Sequence, residues 1–412
     1  MNTNKKTPKL RFKGFTDDWE QRKLGDFYTF KNGLNKEKVY FGYGDSIVNF
    51  TDVFHNRQIY SSTLKGKVFV NKKELENFKV KEGDLFFTRT SETIDEIGFP
   101  AVVMEPMERV VFSGFVLRGR AEKNDPLVNI FKSYIFFTDN FRSEMKKKSS
   151  MTTRALTSGT ALKEMYFSYP KDLEEQTKIG EILLRLDNVI TLHQRKLEKL
   201  KLAKKALLQK LFPKNVSQFP EIRFKNFTDA WEQRKFSDLY EKISEKNDLS
   251  YSLDKIISVA NMYYKSDAKV SNEEYLKTYN IFRYGEIAFE GNKSKDFTYG
   301  RFVENTIGDG IISHVFEVFR PITKYDIYFW KYYINYEPIM GKVLSRCTKK
   351  TTMMTNLVAK DFLKETVFVP SLAEQKRIGI LLNTLDKSIT LHQRKLNCLI
   401  SIKKGLLQQL FV

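Results

Sequence analysis

The chain has 412 residues, of which 41% are hydrophobic, and its 34 Phe and 20 Tyr can build sizeable cores, which excludes a largely disordered protein. A net charge of +20 and a pI near 9.5 favour a polyanionic partner, most often nucleic acid, over an ordinary basic surface. Two cysteines, no apolar signal segment and no run of about 20 apolar residues predict a cytoplasmic protein with neither a disulfide framework nor a membrane span.

The chain opens with a segment that occurs twice. Residues 8–28 (PKLRFKGFTDDWEQRKLGDFY) match residues 220–240 (PEIRFKNFTDAWEQRKFSDLY) at 14 of 21 positions, and residues 173–212 match 372–411 at 24 of 40. Two copies of one unit in a single chain predict a pseudo-twofold molecule. We therefore expect five segments, which are a globular domain at 1–170, a helix at 171–212, a linker at 213–219, a second domain at 220–369 and a second helix at 370–412.

Between the repeated segments lie stretches that are typical of short strands. Runs such as KGKVFV and GDLFFTRT in the first copy, and GEIAFEG in the second, are rich in β-forming residues and are broken by Gly and Asn. A weak correspondence pairs Gly83 with Gly285 and Gly98 with Gly300. The two globular domains are therefore predicted to share one mostly β or mixed fold and to have diverged in detail.

The repeated helices carry apolar residues at alternating spacings of four and three, which predicts that each helix packs against a partner helix. We call these positions the seam. The seam comprises Ile179, Leu183, Leu186, Ile190, His193 and Leu197 in the first helix, and Ile378, Leu382, Leu385, Ile389, His392 and Leu396 in the second. The histidines either reach water at its edge or help to fix the register of the helices. Further along, Lys204 and Lys403 interrupt the pattern and are expected to extend into water.

The order of the segments predicts how the helices pair. If the two helices pair with each other, they run antiparallel, because each leaves one globular domain and ends near the start of the other. Phe411 is then expected close to Pro8, just as Phe212 lies close to Pro220. The predicted fold class is α+β, with two similar domains separated by an antiparallel pair of long coiled-coil helices in a pseudo-twofold, nearly circular chain.

Basic and polar clusters occur at equivalent places in the two copies. Lys and Arg neutralise phosphates, and Ser, Thr and Asn donate hydrogen bonds to phosphates or base edges, so these clusters predict DNA contacts unless they are simply solvated loops. Arg89, Arg154, Arg301 and Arg346 are the candidates for base contact, because a guanidinium can bind guanine through two hydrogen bonds. The remaining candidates are Thr90, Ser91, Lys147, Lys148, Thr153, Asn292, Lys293, Lys295, Lys349 and Lys350.

The sequence contains no recognisable catalytic or metal-binding motif. It has no GxxxxGK[ST] phosphate loop and none of the N/D-P-P-Y/F motifs with which amino-methyltransferases hold an adenine. The four histidines form no H-x-x-H pair, so no metal site is predicted. A stand-alone nuclease or methyltransferase is accordingly disfavoured.

At this point the chain resembles the specificity subunit of Type I restriction–modification systems. The resemblance rests on the repeated FTDxWEQRK opening, which is similar to that of staphylococcal and related Gram-positive members, and on the paired TLHQRKL helices. It also rests on two Pro–Glu-Gln–Ile passages, formed by Pro170, Glu175, Gln176 and Ile179, and by Pro370, Glu374, Gln375 and Ile378. The resemblance implies two target recognition domains, each reading half of a bipartite DNA site, with spacer helices between them.

The resemblance also implies partners. The chain itself would not be an enzyme and would bind double-stranded DNA, two methyltransferase subunits and two restriction subunits, but no membrane. S-adenosylmethionine, ATP and Mg would be bound by those partners and not by this chain. Outward-facing Leu202, Ala203, Ala206 and Leu208 either dock a methyltransferase subunit or widen the helix core. The alternative is a stand-alone two-domain DNA-binding regulator or architectural protein, which would need no docking surface.

Overall fold

A computed structural model describes residues 7–214, 217–265, 272–350 and 354–412. The chain forms two compact units, here called unit 1 (Met1–Gln194 with Lys395–Val412) and unit 2 (Arg195–Arg394). Each unit therefore contains part of both long helices. Residues 215 and 216 of the predicted linker lie outside the described residues, and the predicted limits of the five segments remain a prediction.

Unit 1 combines short strands with six helices among its described residues, the last of which continues into unit 2. The strands are β1 (Glu20–Lys23), β2 (Tyr28–Asn32), β3 (Phe41–Val48), β4 (Gln58–Ile59), β5 (Lys67–Val68), β6 (Leu85–Thr88), β7 (Thr90–Ser91), β8 (Pro100–Val103), β9 (Val110–Phe112), β10 (Val116–Ala121), β11 (Ser150–Met151), β12 (Ala155–Leu156) and β13 (Tyr166–Tyr169). The helices are α1 (Phe50–Val53), α2 (Lys72–Phe78), α3 (Asn129–Ile135), α4 (Asp139–Lys148), α5 (Gly159–Lys163) and α6 (Leu173–Leu211).

Unit 2 repeats this arrangement with fewer described strands. Its strands are β14 (Glu232–Lys235), β15 (Tyr240–Ile243), β16 (Ile257–Ser258), β17 (Tyr263–Tyr264), β18 (Asn280–Phe282), β19 (Ile287–Glu290), β20 (Arg301–Glu304), β21 (Gly310–Ile312), β22 (Glu317–Pro321), β23 (Thr348–Lys350), β24 (Thr355–Leu357) and β25 (Thr366–Val369). Its further helices are α7 (Ile327–Tyr333), α8 (Glu337–Cys347), α9 (Ala359–Lys364) and α10 (Leu372–Gln409), whose last turns lie in unit 1.

The central sheets of the two units share the order of four strands, to which unit 1 adds a fifth, β4. In unit 1 the order is β2-β10-β6-β8-β4, and in unit 2 it is β15-β22-β19-β20. A separate two-stranded pair joins the opening segment to the strand that precedes each long helix, as β1-β13 and as β14-β25. The prediction of two related mixed domains is therefore confirmed.

The turn before the third strand of each central sheet confirms the predicted glycine correspondence. Gly83 and Gly285 have φ angles of +80° and +87°, a backbone conformation that side-chain-bearing residues rarely adopt. The next residue in each unit is a buried acid that binds an arginine of the neighbouring strand. Arg120 Nη2 lies 2.6 Å from Asp84 Oδ2, and Arg320 Nε lies 2.8 Å from Glu286 Oε1. The same pair thus ties the same two strands together in both units.

The opening segments bind the starts of the long helices. Arg11 donates two hydrogen bonds to Glu175 at 2.7 and 2.8 Å in unit 1, and Arg223 donates two to Glu374 at 2.7 Å in unit 2. Both carboxylates are buried, so these charge-assisted pairs fix the opening segment on the first turn of each helix. Trp19 and Trp231, the tryptophans of these segments, lie in the main cores.

The end of α10 returns to the opening segment within unit 1. The N–H of Leu10 donates to the carbonyl of Gln409 at 2.9 Å, and Phe411 packs edge-on against Trp19. Unit 2 has the matching bond, from the N–H of Ile222 to the carbonyl of Lys210, also at 2.9 Å. The expectation that the last residues lie beside the opening segment is therefore confirmed.

Candidate nucleic-acid interface

The predicted basic segments of unit 1 are distant in sequence but meet in one small sheet. β7 pairs with β12, which pairs with β11, so residues 90–91 lie beside residues 150–156. The N–H of Thr157 donates to the carbonyl of Arg89 at 3.1 Å and extends the contact. We call this sheet and its connecting residues, 148–157 with 89–91, the unit 1 hairpin. Its residues 89–91 directly follow the central strand β6.

Unit 2 places its predicted basic segments in the equivalent arrangement. β23 pairs with β24, and Met354 forms a bridge with Asn292 just after the central strand β19. The N–H of Thr355 donates to the carbonyl of Gly291 at 2.8 Å, as Thr157 does to Arg89 in unit 1. We call residues 348–350 and 354–357, with 291–292, the unit 2 hairpin. Both units therefore present a hairpin at the same end of the central sheet.

Ten of the predicted contact residues are exposed, three are half-buried and one is buried. Ser91 is buried, and its Oγ accepts a hydrogen bond from the N–H of Thr93 at 3.3 Å, which supports the loop. Contact of Ser91 with DNA remains a prediction, and no sequence pattern distinguishes this buried residue from its exposed neighbours. The exposed candidates are Lys147, Lys148, Thr153, Arg154, Asn292, Lys293, Lys295, Arg346, Lys349 and Lys350, whereas Arg89, Thr90 and Arg301 are half-buried.

The four arginines predicted to contact bases differ in their present partners. Arg301 donates to Glu290 at 2.7 Å and to the carbonyl of Ala260, and Arg346 pairs with Glu365. Arg154 pairs with Glu92 at 2.9 Å, but both side chains are exposed, so this contact contributes little stability. The side chain of Arg89 forms no hydrogen bond, ion pair or ring contact among the described residues. Base contact by these side chains remains a prediction.

A cluster of three side chains joins the two long helices to the globular part of unit 1. Asp187 of α6 accepts hydrogen bonds from Lys403 of α10 and from the hydroxyl of Tyr134 on α3, the latter at 3.0 Å. Burial raises the pKa of Tyr134 well above its ordinary value, so this hydroxyl stays a donor. We call Asp187, Lys403 and Tyr134 the unit 1 triad.

Unit 2 contains the same cluster with the helices exchanged. Asp386 of α10 accepts from Lys204 of α6 at 2.6 Å and from the hydroxyl of Tyr332 on α7 at 2.6 Å, which forms the unit 2 triad. The lysines were expected to extend into water, but their side chains are only 25% exposed at Lys204 and 17% at Lys403. They are half-buried because an aspartate of the other helix lies within hydrogen-bonding distance.

The seam residues are not all equivalent in the structure. Ile179 and Leu183 share the main core of unit 1 with Leu410, and Ile378 and Leu382 share that of unit 2 with Leu211, so the first seam positions pack on globular residues as well. Within unit 1 the two helices run antiparallel. Leu183 of α6 lies in the same core as Leu410 of α10, whereas Asp187, which is later on α6, pairs with Lys403, which is earlier on α10. Ile190, Leu197 and Leu396 are also buried, whereas Leu186, His193, Leu385, Ile389 and His392 are half-buried.

Apolar side chains also cover the outer faces of the long helices. Of the residues predicted to face outward, Leu202 is 69% exposed and Ala203 and Ala206 are exposed, but Leu208 packs partly against the unit 2 core. Further exposed apolar residues, which the sequence analysis missed, are Ile182, Val189, Leu192, Ile380, Leu391, Ile400 and Ile402. Leu192 and Leu391 are equivalent in the two copies, which is the signal that would have identified them.

The described residues contain neither a metal-binding group nor a membrane-crossing helix. No three His, Cys, Asp or Glu side chains in the described ranges cluster so that they could hold a metal ion. Although α6 and α10 are long, neither they nor any other described helix is apolar enough to cross a bilayer.

Comparison with known families gives a match in both copies of the repeat. Residues 16–202 and 228–400 match the Type I restriction modification DNA specificity domain. Among curated proteins, the chain is 26% identical over 226 residues to a protein described as the type I restriction enzyme MjaX specificity subunit of Methanocaldococcus jannaschii. That alignment covers 52% of this chain, and the chain spans about half the length of that relative (51%).

A solved structure shares the fold over nearly the whole chain. The crystal structure of the Type I restriction-modification system S subunit from M. genitalium superposes with a TM-score of 0.61. The match covers 98% of this chain and 99% of that one at 14% sequence identity. At this identity the likeness is one of fold.

Proposed function

Because this chain belongs to the family of Type I restriction modification DNA specificity domains, we propose that it is the DNA-recognition subunit of a Type I restriction–modification complex. Each globular domain reads one half of a bipartite site in double-stranded DNA, and the long helices set the unread gap. The observation that carries the proposal is the match of this family in both copies of the repeat.

The structure supports this assignment through what the two units share and where they differ. Both place a polar or basic hairpin at the same end of the central sheet, and the chain carries a net charge of +20. The hairpins differ in residue identity, as two domains that bind different sequences would. Phosphate contacts by Lys147, Lys148, Lys349 and Lys350 would then position each domain, and base contacts would specify the site.

The remaining roles concern the partners. We place methyltransferase docking on the exposed apolar residues of α6 and α10, with Leu202, Leu192 and Leu391 as examples. Two methyltransferase and two restriction subunits would complete the complex, and they, and not this chain, would bind S-adenosylmethionine, ATP and Mg. The chain would act in the cytoplasm as a non-catalytic subunit. A stand-alone regulator is not favoured, because family membership implies partner subunits.

Methylation mapping tests the proposal directly. Adenine methylation would be sequenced across the genome of cells that express the partner subunits with and without this chain. We expect a bipartite motif to be methylated only when the chain is present. An unchanged adenine methylation pattern, in cells whose methyltransferase subunit is shown to be expressed, would contradict the proposal.

A further inference from the structure

Unit 1 contains a cavity of about 300 Å³ beside its hairpin. Its lining includes two cationic side chains, Arg89 and Lys163, and three hydroxyl-bearing residues, Thr157, Ser158 and Thr160. No acidic side chain is among the described residues that line it. A recess with this lining attracts an anion, because positive charge concentrated at a concave surface strengthens the local potential.

Both cations at this cavity lack partners within the described part of unit 1. Every other arginine there has an ion pair, a hydrogen bond or a ring contact, as Arg11, Arg57, Arg142 and Arg154 illustrate. Neither the guanidinium of Arg89 nor the ammonium of Lys163 has such a contact. Two unpaired cations at one recess repel each other, and a shared anion would relieve that repulsion.

The backbone around the cavity is held in place from two sides. The N–H of Arg89 donates to the carbonyl of Phe115 at 3.1 Å, and its own carbonyl accepts from the N–H of Thr157 at 3.1 Å. Ser158 Oγ accepts from the N–H of Ala161 at 3.1 Å, which leaves its hydroxyl hydrogen available as a donor. The cavity is therefore preorganised, and a bound group would order few additional residues.

Unit 2 has different chemistry at the equivalent positions. Gly291 stands at the position of Arg89, since the carbonyl of each accepts a hydrogen bond from the N–H of a hairpin threonine. Leu363 of α9 stands at the position of Lys163 of α5. Glu317 is equivalent to Leu117, because Glu317 pairs with Phe289 as Leu117 pairs with Phe87. The carboxylate of Glu317 forms an ion pair with Lys242 at 2.5 Å. The two free cations are thus a feature of unit 1.

We propose that the cavity of unit 1 binds one backbone phosphate of the target DNA, clamped between Arg89 and Lys163. The inference rests on the proposed function and revises the expectation that Arg89 reads a base. Two cations with hydroxyl donors suit a charged oxyanion, whereas base recognition needs a donor and acceptor pattern directed at a base edge. The contact would fix the position of unit 1 on its half-site without contributing to sequence choice.

The first test compares two variants with the same loss of charge. The full chain, assembled with its partner subunits, carries either Arg89→Gln with Lys163→Gln or, as the control, Lys72→Gln with Lys73→Gln on α2. Binding to a duplex that contains the mapped target and to an unrelated duplex is titrated against salt. We expect the first variant to lose about tenfold or more in affinity for both duplexes. Its plot of log K against log salt should be shallower by roughly 0.9.

The second test locates the contact on the DNA. Neutral methylphosphonate linkages replace the phosphates one at a time across the half-site that unit 1 reads. With the wild-type chain, one linkage should weaken binding by about tenfold or more, and with the Arg89→Gln, Lys163→Gln variant that linkage should have no further effect.

Three outcomes would overturn the inference. In the first, both variants lose the same amount of DNA affinity. In the second, the Arg89→Gln, Lys163→Gln variant loses affinity only for the target duplex, and replacing a guanine of that duplex with 7-deazaguanine causes no further loss. In the third, the affinity of this variant is unchanged. Failure of the wild-type complex to distinguish the target from the unrelated duplex would instead contradict the proposed function.

Discussion

Single buried side chains distinguish two units that share one fold. Glu304 of unit 2 occupies the strand position that Val102 holds in unit 1, since each pairs with the equivalent residue of the neighbouring strand. Glu304 is 2% exposed, and neither of its carboxylate oxygens has a hydrogen-bond partner among the described residues. Burial raises the pKa of Glu304 well above its ordinary value, because the charged carboxylate loses its contact with water.

Replacing Glu304 with Gln should stabilise unit 2 relative to the wild type, and this advantage should grow as the pH rises. A carboxyl with a raised folded pKa stabilises the fold fully below its unfolded pKa and loses that contribution as the pH increases towards the folded value. The Glu304→Gln variant lacks this loss. We therefore expect its free energy of unfolding to exceed that of the wild type by roughly 1 to 3 kcal/mol at pH 8, and the difference to shrink towards pH 5.

Thermal unfolding midpoints measured between pH 5 and pH 8 test this prediction. Glu241→Gln, which replaces an exposed glutamate of the same unit, serves as the control and should follow the wild type. A constant difference between the Glu304→Gln variant and the wild type across this range would contradict a raised pKa of Glu304.

At the scale of elements, each triad joins the two long helices within its own unit. Each triad brings together α6, α10 and one helix of the globular part of its unit. The aspartate and lysine of α6 are Asp187 and Lys204, and those of α10 are Asp386 and Lys403, both 17 residues apart (204 − 187 and 403 − 386). Each helix therefore contributes its aspartate to the triad of one unit and its lysine to the triad of the other, at the same spacing.

Removing the aspartate of either triad should lower stability by similar amounts. Asp187→Asn or Asp386→Asn leaves a half-buried lysine without its carboxylate, which we expect to cost roughly 1 to 2 kcal/mol of unfolding free energy. Denaturant unfolding provides the measurement. Combining Asp187→Asn with Lys403→Met should recover part of the loss, and fully additive losses would show that the pair does not interact.

The sequence predicted these elements better than their contacts. The heptad spacing identifies both helices and shows the identical lysines at 204 and 403 as interruptions. The aspartate partners of these lysines lie on the opposite helix at large sequence separation. Alignment of the copies also shows Asp187 and Asp386 to be identical. Tyr134 and Tyr332 lie in diverged segments, and the meeting of residues 89–91 with 148–157 depends on sheet pairing that no local pattern encodes.

At the scale of the whole molecule, both copies of the opening segment contact the end of a long helix. Leu10 bonds to Gln409, and Ile222 bonds to Lys210. A circular permutant that begins within residues 213–219, and joins residue 412 to the first residues through a short linker, should therefore fold. We expect a soluble protein whose unfolding midpoint lies within a few degrees of that of the wild type. Complete insolubility would contradict the prediction.

Insertions test whether the helices act together. Seven residues added to α6 between Asp187 and Lys204, and seven added to α10 between Asp386 and Lys403, preserve the heptad pattern and both triads. We expect this matched variant to unfold near the wild-type midpoint and, in methylation mapping, to recognise a target with a longer unread gap. The same insertion in α6 alone should lower the midpoint, because one triad must break. Equal midpoints for the two variants would argue against the triads.

The packing of Phe411 in the core of unit 1 has a consequence for synthesis on the ribosome. Unit 2 obtains Leu211 and Phe212 from residues that are made before its own opening segment, so its core can close once its last residues emerge. Unit 1 requires Leu410 and Phe411, and Leu410 is translated 227 positions (410 − 183) after Leu183, the last other buried residue of its core. The half that is made first is thus completed last, and an early stop codon near residue 400 would damage the amino-terminal half of the protein.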